Sequence, residues 1–128
     1  MAKIVHDHHT VETWRSGVLT RMRISALTGA KNLCIFEQWC APGTGAPLHL
    51  HRVEEVLTVL SGRMEAHLAG ETLTLTGNDS VLIPPETVHG FTNVGDVELH
   101  VLAVLASATF EAVPVATGVP VTRWADKI

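Results

Sequence analysis

Residues 43–62 read GTGAPLHLHRVEEVLTVLSG. In an extended segment side chains alternate between faces, so His49 and His51 point the same way. They stand roughly 6–7 Å apart along a strand, close enough for both imidazoles to reach one metal ion. Glu55 has the same parity but lies about 13 Å from His51 along a straight strand. It joins the same ion only if the chain turns around Arg52–Glu54, and that geometry calls for two adjacent strands. Glu54 competes for the role. The parity of Glu55 with Leu57 and Val59, both expected to face the core, favours Glu55 and turns Glu54 outward.

A second stretch, residues 78–93, reads NDSVLIPPETVHGFTN: an apolar run, a Pro84–Pro85 break, then His89. His49, His51, Glu55 and His89 make a complete ligand set for one divalent transition metal ion. The mix of imidazole and carboxylate suits iron, manganese, nickel, cobalt, zinc or copper, and affinity order alone does not choose between them. Four protein ligands on a six-coordinate ion leave open positions, as catalytic sites do. Without a metal, converging imidazoles and a carboxylate would carry a heavy desolvation cost.

These two stretches resemble the paired motifs of the cupin family. The first fits GxxxxxHxHxxxExxxxxxG at Gly43, His49, His51, Glu55 and Gly62. The second resembles GxxxxxPxGxxHxxxN through Pro84, His89 and Asn93, and departs at two glycines, where Asn78 and Glu86 stand. Asn tolerates left-handed backbone well; Glu86 leaves the shape of its turn open. No ligand position is lost. The resemblance implies an all-β chain, a single cupin domain folded as a jelly-roll barrel, over residues 1–128 with the barrel core at about 33–106.

The rest of the chain agrees with an all-β reading. Apolar residues make up 46% and charged residues 17%, a globular composition. A net charge of −4 provides no basic footprint for nucleic acid. No apolar run approaches the roughly 20 residues of a membrane span, and the opening MAKIVHDHHT has no apolar signal core, so a cytoplasmic location is expected. Cys34 and Cys40 sit in one strand-like segment, about 20 Å apart if extended, and are expected to be reduced and buried.

Residues 1–12 are polar and hold His6, His8 and His9. They read as a mobile arm, with an extra metal site or a strand swapped to a partner subunit as alternatives. Val18–Leu27 alternates, with Val18, Thr20, Met22, Ile24 and Ala26 on one face and Arg21 and Arg23 on the other. Leu33–Cys40 is the next strand, placing Phe36, Gln38 and Cys40 together. Met64–Ala69 and Thr72–Leu75 form a hairpin with Glu65 and His67 toward solvent. Ser80–Ile83 and Val88–Phe91 flank the proline turn. Val97–Ala106 becomes apolar on both faces after His100, which predicts cover from a second subunit and hence a homodimer. Phe110–Val115 and Val121–Trp124 add strand-like pieces.

Gln38, His67 and His100 are the candidates for assisting groups beside the ligands; each has an equally simple reading as an ordinary strand residue. The chain has no tyrosine and no evident nucleophile–base pair, so proton transfer falls to Glu65, His67, His100 or water at the metal. An apolar lining is expected from Leu57, Val59, Ile83 and Phe91. The resemblance admits three functions: a metal-dependent oxygenase acting on a small oxygen-rich molecule, a non-redox isomerase, lyase or decarboxylase, or a small-molecule binding module without turnover.

Overall fold

The computed structural model describes residues 2–125. The first five strands are β1 (Val11–Arg15), β2 (Val18–Ile24), β3 (Cys34–Cys40), β4 (Gly45–Leu50) and β5 (Glu55–Ser61). They are followed by β6 (Arg63–Leu68), β7 (Glu71–Thr76), β8 (Ser80–Ile83) and β9 (His89–Asn93). β10 (Leu99–Leu105), β11 (Phe110–Pro114) and β12 (Val121–Arg123) complete the set. Among the described residues the only helices are short 3-10 turns at His6–His8 and Ala26–Thr28.

Two six-stranded antiparallel sheets face each other, one in the order β1-β2-β3-β10-β5-β8, the other β12-β11-β4-β9-β6-β7. From β3 onward the chain passes back and forth between the sheets, which is the jelly-roll arrangement. Alternation decides what lies between them. Along β10, Leu99, Val101, Ala103 and Leu105 are buried while His100, Leu102 and Val104 are half-exposed. Met64 and Ala66 point inward from β6, and Glu65 and His67 outward, as their parity requires. Phe36, Leu57, Val59, Phe91 and Phe110 join them in one core.

Several turns carry left-handed backbone. Gly62 has φ +94°, and a Cβ there would stand 2.9 Å from both the Glu98 carbonyl oxygen and the Leu99 Cα. The two departures from the second motif adopt the same region: Asn78 at φ +73° and Glu86 at φ +61°. The Glu86 turn therefore keeps the shape a glycine would give it, pinned by the Glu86 N–H donating to the His51 carbonyl at 2.8 Å.

The start of the chain differs from the expected arm. Val11 and Glu12 already belong to β1, which pairs with β2 through Val11↔Arg21 and Glu12↔Thr20. Before it, the His9 ring Nδ1 donates to the Met22 carbonyl at 2.6 Å. VETWR has no clear alternation; its strand character comes from pairing across the Ser16–Gly17 turn, where Gly17 has φ +80°. At the other end of β2 the strand stops at Ile24. Ser25 caps the 3-10 turn by accepting from Leu27 N–H, so Ala26 leaves the face assigned to it.

Candidate metal centre

The two histidines of residues 43–62 stand at the end of β4, and Glu55 opens β5. The expected turn lies between them, but β4 and β5 are not neighbours: they belong to opposite sheets. The chain crosses the sandwich at Arg52–Glu54, so Glu55 meets the histidines from the facing layer. His89 begins β9 and is the register partner of His49 across the β4–β9 ladder. The ligand atoms of His49, His51, Glu55 and His89 all lie within 4.8 Å of one another. His51, Glu55 and His89 are buried at 2%, 3% and 2% exposure, and His49 is half-buried. Glu54 is exposed.

The hydrogen bonds behind the rings fix what the rings offer in front. His49 Nδ1 bonds the Pro47 carbonyl at 2.6 Å, His51 Nδ1 the Glu111 carbonyl at 2.7 Å, and His89 Nδ1 the Thr87 carbonyl at 2.8 Å. A carbonyl only accepts, so all three Nδ1 atoms carry the proton and every neutral ring presents an Nε2 lone pair. Those lone pairs converge on a carboxylate: His89 Nε2 lies 3.0 Å and His51 Nε2 3.4 Å from Glu55 Oε1. His51 Nε2 is buried without a hydrogen-bond partner. Acceptors face acceptors in a buried space, which a cation between them resolves. The donor set and its backing fit a divalent metal ion.

The same contacts shift the titration of the cluster, toward the neutral ring at His49 and toward the protonated ring at His51. Burial and the neighbouring His89 lower the pKa of His49 to about 4. Burial opposes charge on His51, but Glu55 outweighs it and raises that ring above its ordinary value. Burial likewise opposes the charge of Glu55, and the facing His51 and His89 overcome it, holding the carboxyl below the usual range.

A cavity of about 150 Å³ opens beside this cluster, lined in part by Leu57, Phe91, Phe110 and Gln38. Of the four apolar residues expected to line it, Leu57 and Phe91 do so, while Val59 and Ile83 lie in the core. Gln38 faces the cavity and donates to Thr20 Oγ1 at 3.0 Å.

The other two assisting candidates lie outside the cavity: His67 faces outward as its parity predicts, and His100 takes the outer of its two readings. His67 is on the outer face of β6, 3.7 Å from Glu65. His100 is on the outer face of β10, stacked on Trp39 and 2.9 Å from Glu37 Oε1. Both have the parity opposite to their buried neighbours. His6, His8 and His9 form no metal cluster; among the described residues the ligand group above is the only one. Cys34 and Cys40 are free and buried, and burial pushes their thiols up to about 12 and 11.

The motif reading missed the far wall of the cavity. Trp14 and Arg15 of β1 and Arg123 of β12 line it, brought there by the outermost strands. The Ser16–Gly17 dipeptide could have marked β1 as half of a hairpin; no local signal points Arg123 inward.

The family model for the cupin domain matches residues 37–105, more than half of the chain. The chain belongs to the cupin family. This cupin is 35% identical over 86 residues to polyketide synthase CurC of Streptomyces cyaneus, covering 66% of this chain and 53% of that protein. It spans about half the length of the curated relatives it matches. Its fold is similar to that of the polyketide cyclase RemF from Streptomyces resistomycificus: TM-score 0.71, 24% identity, 82% of this chain and 78% of that one. It is also similar to recombinant oxalate oxidase in complex with glycolate: TM-score 0.70, 20% identity, 77% of this chain and 55% of that one. Among the described residues, no helix of this cupin is long and apolar enough to cross a membrane.

Proposed function

We propose that this cupin is a metal-dependent oxygenase acting on a small molecule with adjacent oxygen donors. One observation carries the reading: among the described residues that line the cavity, none outside the ligand cluster is an acid–base group free for proton transfer. Glu65, His67 and His100 all lie on outer faces, and Gln38 is engaged by Thr20. A divalent metal held by His49, His51, Glu55 and His89 would supply Lewis-acid or redox chemistry and positions for a chelating substrate. The chain's own contribution is placement and dryness. Leu57, Phe91 and Phe110 exclude water, and the carbonyls of Pro47, Thr87 and Glu111 hold the three rings in one tautomer. The likeness to an oxalate oxidase bound to a two-carbon hydroxy acid supports a substrate of this kind.

The likeness to CurC and RemF favours a second reading, in which a polyketone is held at the metal and cyclised without dioxygen. The experiment loads metal-free protein anaerobically with iron, manganese, nickel or copper. Diketones, catechols, flavonols or keto acids are added, and oxygen is then admitted. Oxygen uptake above that of a His49→Ala variant is expected for at least one pair. If no pair exceeds that control the oxygenase reading falls, and product formed without oxygen would favour the cyclisation.

A further inference from the structure

Two arginines line the same cavity as the metal ligands, and neither belongs to the motifs. Arg15 and Arg123 come from β1 and β12, outside residues 37–105 to which the family model extends. Their hydrogen bonds are largely unspent. Arg15 Nη1 donates to the Gly45 carbonyl at 2.8 Å, the one hydrogen bond its side chain makes among the described residues. The Arg123 side chain makes none there, and its Nε is buried without a partner. It stands over the Trp14 ring at 4.1 Å and keeps a loose 3.7 Å approach to Glu12. Glu12 is itself engaged by the indole N–H groups of Trp14 at 3.4 Å and Trp124 at 3.0 Å.

Each guanidinium carries five N–H donors in a planar fork, and a donor left unmet in an apolar cavity costs free energy. Apart from the metal ligands and Gln38, the remaining wall is aromatic and aliphatic, supplied by residues such as Phe36, Phe91 and Phe110. Burial first, and then the like charge of Arg123, hold Arg15 below its ordinary pKa, with Cys40 acting in the opposite direction. Two neighbouring cations with spare donors call for an anion between them. The fork geometry matches a carboxylate, which accepts two parallel N–H bonds.

We infer that Arg15 and Arg123 form a carboxylate-binding subsite, so that the substrate carries a carboxylate at one end and the chelating oxygens at the other. This rests on the proposed reading only in taking the metal cluster as the second anchor; it does not depend on dioxygen. It also explains why the terminal strands, which add nothing to the metal, are folded over the cavity.

The test uses redox-inert zinc in the site and two probes with the same chelating group. 4,6-Dioxoheptanoate has a β-diketone and a distant carboxylate; heptane-2,4-dione has the diketone alone. Calorimetric titration of the zinc-loaded protein is expected to show the acid binding at least about tenfold more tightly. Arg123→Met is expected to remove most of that preference while zinc content and binding of the dione stay unchanged. It is the cleaner variant, because no hydrogen bond within the described residues is lost with it. Arg15→Met should act in the same direction, with Arg15→Lys retaining part of the preference. Equal affinity for the two probes, no binding of the acid, or a preference that survives both Met variants would each overturn the subsite. Since no oxygen enters the experiment, failure of oxygen uptake would count against the oxygenase reading and leave this result standing.

Discussion

Glu54 and Glu55 are adjacent carboxylates with opposite fates, and the difference is one of parity. Glu55 is buried against His51 and His89, while Glu54 is exposed. Glu55→Ala is expected to lose the bound metal and Glu54→Ala to keep it, measured as metal per chain. The reverse result would put the register one residue out. Lowering the pH should also release the metal, because protons compete for the same Nε2 lone pairs, and His51 holds its proton more readily than an ordinary histidine. Glu37 offers an independent residue-scale prediction. It is buried on the outer face at 1% exposure, where burial would raise its pKa, yet Arg23, His100 and Arg21 hold it at about 2. A carboxyl depressed in the folded state stabilises above its unfolded value, 4.5, and loses that contribution as pH falls toward 2. The wild type should therefore lead Glu37→Gln by on the order of 2–3 kcal/mol near neutral pH. Denaturant titrations should show that lead shrinking between pH 4.5 and 2.

At the scale of elements, the site depends on where turns send the chain. Gly62 closes the first motif with left-handed backbone pressed against Glu98 and Leu99. Gly62→Ala adds a Cβ both where the conformation disfavours it and where there is no room. A loss of about 2–4 kcal/mol is expected by equilibrium unfolding. Glu86 presents the opposite case, a side chain already carried at φ +61°. Nothing in the described surroundings requires that side chain, so Glu86→Gly should leave metal binding unchanged and shift stability by less than about 1 kcal/mol.

At the scale of the whole molecule, the outer face of the first sheet carries an apolar row. Ile35, Val104, Val56 and Leu82 are successive register partners across β3, β10, β5 and β8. Leu102 and Val104 are the outward residues of β10, and both are half-buried within a single chain; Leu82 is exposed. We propose that two copies pair through this face, as expected for a strand apolar on both sides. Sedimentation at micromolar concentration should show a dimer, converted to monomer by Val104→Glu with metal binding intact. A wild-type species of 13.8 kDa would refute it.

The ligand set was legible because local rules govern it: alternation puts His49, His51 and Glu55 on one parity, and the motif spacing adds His89. The same rule separates Glu65 and His67 from Met64 and Ala66, and it already allowed His100 to lie outside. Which sheet each strand joins was not legible. It follows from pairings between segments far apart in sequence, such as β4 with β9 and with β11, and no period within a strand encodes them. Hence β4 and β5 read as neighbours although they face each other across the sandwich. For the same reason Arg15 and Arg123, more than a hundred residues apart, entered the cavity unannounced. Parity is a property of each strand alone, whereas the far wall of a cavity exists only once the two sheets have closed over it.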